Sequence, residues 1–160
     1  MKKTLMAACA AVLLAGGCAT SQQRRESLGQ RALAVSQAVD SRQLRIEVQS
    51  MQTQRYGSHR VTSDFFLRLR GDTLDSYLPF LGRVYAAPYG SPSQGLNFTS
   101  PIENFRRSTG SDGCVRLEMN VHSQEDRFQY RIDVYPNGQT YIHVRSQERD
   151  AISFDGEVDL

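Results

Sequence analysis

The chain has 160 residues, 39% of them hydrophobic and 22% charged, with three cysteines and no tryptophan. That is enough apolar material for about one folded domain, and it excludes disordered, collagen-like and disulfide-stapled classes. Of 19 Lys+Arg against 17 Asp+Glu, the two lysines are Lys2 and Lys3, and beyond them 17 arginines face 17 carboxylates, so no global pull toward nucleic acid remains.

The first element is a segment built to be removed. Lys2 and Lys3 make a basic start, and the uncharged run from Leu5 to Ala15 has the length of a secretory h-region. A membrane-spanning helix needs roughly 20 apolar residues, more than this run supplies. Leu13-Leu14-Ala15-Gly16-Gly17-Cys18 resembles the bacterial lipoprotein signal, in which small residues precede a cysteine that is acylated and becomes the new N-terminus. Ala15 stands where that signal prefers Leu, which leaves cleavage by the ordinary signal peptidase as the alternative. We therefore expect a signal over residues 1–17, lipid on Cys18, a tether over 18–21 and one domain over 22–160. Several acyl chains at roughly 0.8 kcal/mol per buried CH₂ would hold such a protein firmly in a bilayer. Ala19 lacks the Asp that marks inner-membrane retention, so the expected residence is the outer membrane. With Cys9 lost in the signal and Cys18 lipidated, Cys114 has no cysteine left to pair with.

The mature chain opens with a helix. Leu28, Ala32, Val35 and Val39 recur at spacings of four, three and four and form one apolar stripe. Ser27 with Gln30, or Thr20 with Gln23, fits a capping box at its start. Arg24 and Arg25 follow the lipid site closely and suit either a solvated helix face or contact with phosphate headgroups.

From Gln43 the period becomes two. Leu44, Ile46 and Val48 alternate with charged or polar neighbours, Phe65, Leu67 and Leu69 alternate with Phe66, Arg68 and Arg70, and the period continues through Val115, Leu117, Met119 and Val121, then Phe128, Tyr130, Ile132 and Val134. Pro136-Asn137-Gly138 marks a tight hairpin before Ile142 and Val144, and Ile152 with Phe154 form a last short strand before Asp155-Gly156. Strands joined by such short turns pair antiparallel. The expected class is α+β, mostly β: an antiparallel sheet with the N-terminal amphipathic helix packed on its apolar face and a long aromatic-rich loop.

That loop is read over Gly71 to Gly90, which shows no sustained period. Between Tyr77 and Phe105 stand Tyr77, Phe80, Tyr85, Tyr89, Phe98 and Phe105. Long irregular segments in small domains are either self-packed or functional, so these aromatics either cover the end of the sheet or offer a binding surface. For the second reading the candidate surface is Tyr77, Phe80, Arg83, Tyr85 and Tyr89.

The run Leu78-Pro79-Phe80-Leu81-Gly82-Arg83-Val84-Tyr85-Ala86-Ala87-Pro88-Tyr89-Gly90, followed by Gly95-Leu96-Asn97-Phe98, resembles the central signature of the bacterial family catalogued as domain of unknown function 4251. The resemblance extends to Gly71-Asp72, Arg149, Ile152-Ser153-Phe154 and Gly156, and it departs at Phe80-Leu81, where that family commonly has Tyr-Phe. It implies a small envelope lipoprotein, and it implies no activity, substrate or catalytic residue.

Chemistry in the residues themselves is thin. Asp72 and Asp75 read as turn carboxylates. His122 and His143 fall on the polar phase of separate strands, and His59 stands alone without metal-ligand spacing. Cys114 follows a turn-like run, Ser108 to Gly113, without the flanking residues of a thiol nucleophile. There is no phosphate loop and no nucleophile elbow. The expected function is that of a noncatalytic binding or structural module of the cell envelope, with no cofactor and no metal. Its expected partners are the membrane, through the lipid, and an envelope protein or cell-wall component, with no nucleic acid. The alternative is a periplasmic-facing hydrolase with Asp72, Asp75, His59 or Cys114 converging near the 71–90 loop.

Overall fold

The computed structural model of the chain describes residues 22–85, 95–124 and 126–160. One helix, α1 (residues 22–40), precedes nine strands: β1 (Gln43–Thr53), β2 (Gly57–Arg60), β3 (Phe66–Arg70), β4 (Thr73–Leu78), β5 (Leu96–Thr109), β6 (Val115–His122), β7 (Arg127–Val134), β8 (Gln139–Ser146) and β9 (Ile152–Asp159). Strands β3 to β9 pair antiparallel in chain order, and β1 pairs with β3 along one edge and with β9 along the other. The ring of eight therefore closes into a barrel, with β2 outside it on the far half of β1. Closure answers two problems of period-two strands at once, because it hides the apolar face and removes the edges.

An eight-stranded barrel is just wide enough for side chains to fill its interior. Leu44, Ile46, Leu67, Leu69, Leu74, Leu117, Met119, Tyr130, Ile132 and Phe154 do so, each under 2% exposed. A polar pair sits among them. Ser76 Oγ donates to the Leu96 carbonyl (2.7 Å) and lies 3.1 Å from the Tyr130 hydroxyl, which leaves the phenol to donate to Ser76. The seam between β1 and β9 depends on Gly156. A Cβ there would come within 2.5 Å of the Glu47 carbonyl oxygen and 2.9 Å of Ile46 Cγ2, beside a register shift between Val48 and Ser50.

Alternation of the strands sends the turns at Gly71-Asp72, residues 110–113 and Pro136–Gly138 to one mouth, and residues 79–85, 123–124 and 147–151 to the other. Helix α1 covers the first mouth. Arg31 Nε donates to the Asn137 carbonyl (2.8 Å) and pairs with Glu157, and Asp40 pairs with Arg107 at 2.8 Å. The predicted helix is present and packs on the sheet at one open mouth, because the rest of the apolar face is enclosed once the sheet has rolled shut. Val35 and Val39 are buried and Ala32 partly so, while Leu28 stays 50% exposed, because α1 outruns the mouth it covers. Ser27 lies inside the helix, where its hydroxyl donates to the Arg24 carbonyl (2.9 Å), so it is not the N-cap. Thr20 lies outside the described residues.

The irregular reading of Gly71 to Gly90 is corrected in part. Residues 73–78 form β4, and its apolar period is disguised because the inward position between Leu74 and Leu78 is Ser76. Phe98 and Phe105 belong to β5, which runs through Thr109 into what reads as a turn. A bulge between Glu103 and Arg106, with Asn104 at φ 52°, shifts its phase midway. Strand β9 likewise continues through Asp155-Gly156 to Asp159. The Pro136-Asn137-Gly138 hairpin forms as expected, with Gly138 at φ 89° and reciprocal backbone bonds between Tyr135 and Gln139/Gly138.

Candidate functional site

At the mouth opposite α1, three connections meet on one carboxylate. Asp150, between β8 and β9, accepts from the Arg83 backbone N–H (3.0 Å), from Arg55 Nε (3.3 Å) and from the Tyr85 hydroxyl. The backbone joins in: Asp150 N–H donates to the Arg83 carbonyl (3.0 Å), Tyr85 N–H donates to the Glu148 carbonyl (2.7 Å), and Val84 forms a bridge with Arg149. Residues 83–85 are thus strapped across the mouth. The Tyr85 hydrogen bond, helped by the Arg83 N–H, holds the Asp150 carboxyl below its usual range, and the same bond raises the Tyr85 phenol above its own.

Beneath the strap lies a buried ion pair. Arg149 and Asp126 approach to 3.5 Å with side chains 6% and 1% exposed, and Asp126 also accepts from Ser146 Oγ and the Arg127 N–H. The Arg149 guanidinium lies 5.6 Å from the Phe80 ring centroid and 5.9 Å from that of Phe128. A charge this deep requires such company, since desolvation otherwise drives it out.

Of the predicted surface residues, Phe80, Arg83 and Tyr85 gather at this mouth: Phe80 half-buried beside Arg149, Arg83 and Tyr85 exposed. Tyr77 does not join them. It faces outward from β4, where it stacks on Phe65 (5.2 Å) and meets Phe66 at a tilt (5.8 Å), because a strand position flanked by inward Ser76 and Leu78 must point out. Tyr89 and Cys18 lie outside the described residues. Asp150, Asp126 and Arg55 escaped the sequence reading because a turn carboxylate or arginine looks the same whether buried or solvated. Arg149 was marked there only by the family resemblance.

The four groups proposed for a hydrolase lie on separate elements and do not converge. Asp72 pairs with Arg42, while Asp75 accepts from Thr99 Oγ1 (3.0 Å) and faces Arg68 at 3.5 Å. His59 sits on β2 opposite Met51, and Cys114 is next to Asp112 and Asp133, where burial first and those carboxylates second push its thiol upward, away from a reactive thiolate. A serine and a histidine do meet on the outer wall, His143 Nδ1 and Ser153 Oγ at 2.8 Å. Arg145 Nε donates to His143 Nε2 (3.2 Å), so the ring proton is on Nδ1 and points at the serine oxygen. That polarity is the reverse of a general base activating a nucleophile. Among the described residues, no three His, Cys, Asp or Glu side chains gather as a metal-holding group, and no helix is long and apolar enough to span a membrane.

The family described as Domain of unknown function (DUF4251) matches residues 27–158, and the chain belongs to it. The crystal structure of a DUF4251 family protein from Bacteroides eggerthii is similar in fold, with a TM-score of 0.61 at 11% identity over 81% of this chain and 87% of that one. No curated protein matches the chain. The matched region begins after Cys18 and so does not bear on the lipid site.

Proposed function

We propose that this DUF4251 member is a lipoprotein of the bacterial cell envelope, anchored through Cys18 in the outer membrane, whose barrel serves as a noncatalytic binding module. The sidedness of the barrel carries this reading. The chain arrives from its N-terminus through α1 at one mouth, while Phe80, Arg83 and Tyr85 are held at the other by Asp150. A tether feeding the helix mouth leaves the strapped mouth for a partner, either an envelope protein or a cell-wall component. Exposed aromatic and arginine side chains on a rigid scaffold are the residue types that dominate binding surfaces. Gly16-Gly17-Cys18 after the h-region supports the anchor.

Metabolic labelling with a fatty acid and mass spectrometry of the mature N-terminus test the anchor. Acylated Cys18 is expected in the wild type and no label in Cys18→Ser, and an unmodified N-terminus refutes it. Site-specific photo-crosslinkers at Arg83 and, on the outside of β2, at Arg60 test the mouth in intact cells. Discrete products from position 83 alone are expected, and equal yields from both positions would overturn the assignment.

A further inference from the structure

Beside the strap, β5 outruns its neighbour. Its pairing with β6 begins only at Ile102 opposite Val121, so residues 96–100 border the β6–β7 turn, and a recess of about 610 Å³ opens between them. That volume lies within the range that holds a small ligand. We propose that this recess binds an uncharged saccharide. The assignment deepens the binding-module reading and rests on it, though not on the lipid anchor.

The lining narrows the chemistry. Asn97 stands on the β5 side and Gln124 on the turn side, both exposed and neither with a hydrogen-bond partner among the described residues. Each amide offers two donors and one acceptor carbonyl, the combination that adjacent hydroxyl groups satisfy. An apolar ligand would bury these amides unpaired. Charge does not select either, because Arg149 at the base of the recess is paired with Asp126 and His122 at its rim lies 3.7 Å from Glu103. An anionic ligand would meet a cation already neutralised. The apolar part is Phe98, half-buried, with one face laid parallel on Phe128 at a centroid distance of 5.1 Å. Phe98 also meets Tyr130 at an edge (6.5 Å), and it lines the recess together with Phe128, apolar ground that the C–H face of a sugar ring suits.

The test uses the full-length protein in detergent, titrated with triacetylchitotriose, maltotriose and a capped tetra-alanine peptide while side-chain amide resonances are followed by NMR. At least one saccharide should saturate the protein with a Kd of about 1 mM or tighter. It should shift the Asn97 and Gln124 amide signals, and Asn97→Ala and Gln124→Ala should each weaken it about fivefold, the loss of one hydrogen bond. Both side chains are exposed, so thermal midpoints near wild type will verify that the variants fold. No saturable shift with either saccharide, an isotherm indifferent to both variants, or binding of the peptide alone would overturn the proposal. Crosslinking from position 83 that persists despite such a failure would leave the binding-module reading standing without this ligand.

Discussion

Gly156→Ala tests the closure of the barrel with a single methyl group. The added Cβ has no room to move into: it meets the Glu47 carbonyl oxygen at 2.5 Å and Ile46 Cγ2 at 2.9 Å, and both belong to the strand that must pair with β9. Neither atom is the end of a flexible side chain, so the strands must part, and overpacking of this kind costs about 1–3 kcal/mol. Reduced freedom of the unfolded chain returns only about 0.4–1 kcal/mol of that. We expect a net loss of about 1–2 kcal/mol and a thermal midpoint lower by about 2–8 °C. Urea unfolding followed by circular dichroism measures it, and a lower midpoint with an unchanged slope reports lost stability of the same folded state. Gly29→Ala is the control, since its Cβ meets nothing within 4 Å on an exposed stretch of α1, and it should stabilise by about 0.5–1 kcal/mol. If Gly156→Ala matches wild type, the β1–β9 seam is not as tight as described and the barrel argument fails.

Ser76→Ala should destabilise by about 1–3 kcal/mol, because the enclosed Tyr130 hydroxyl loses its acceptor. Adding Tyr130→Phe should restore part of the loss, and a strictly additive double variant would contradict the pairing. His143 should be neutral at pH 7 with its proton on Nδ1, readable from ring ¹⁵N shifts, since burial first and Arg131 and Arg145 next hold its pKa below the usual value. The sign follows: the lowered pKa contributes stability above about pH 6.5 that is lost as pH falls through the folded-state value. Asp150, also lowered, contributes stability above about pH 4 that disappears in more acidic solution, so Asp150→Asn should flatten the acid limb of the stability profile. Tyr85→Phe should remove a phenol titration lying above about pH 10 and speed exchange of the amide that reaches Glu148, and exchange as slow as wild type would show that the strap does not need the phenol.

Strands with an unbroken period were legible residue by residue. Val115, Leu117, Met119 and Val121 needed no knowledge of their neighbours, because each inward position is apolar and each outward one polar or charged. Strands β4 and β5 were not legible, and the reasons are specific. Ser76 occupies an inward position because two partners far along the chain, Leu96 and Tyr130, satisfy it, and no local pattern reports a partner at that distance. Asn104 inserts a bulge, after which the inward phase moves onto Phe105. The same limit applies to the site. Phe80, Arg83 and Tyr85 stand out as an aromatic and basic run in a segment without period. Asp126 and Asp150 acquire meaning only when three connections meet around them.

Closure also limits where binding can occur. A sheet with open edges can recruit a partner strand, but here β1 joins both β3 and β9, and the short β2 is left as the described free edge. The interior is packed with buried side chains, from Leu44 to Phe154. One mouth is covered by α1 through Val35 and Val39. Any partner of the barrel must then use the outer wall or the mouth strapped by Asp150. The wall carries arginines spent on neighbours, with Arg45 4.2 Å from the Phe66 ring and Arg116 on Asp133 at 2.7 Å. The strapped mouth offers exposed Arg83 and Tyr85 held rigidly by backbone bonds. With the crosslinker at position 83, Tyr85→Ala should therefore reduce partner crosslinking where Arg45→Ala, on the wall, does not, and the opposite ranking would move the binding surface to the barrel's flank.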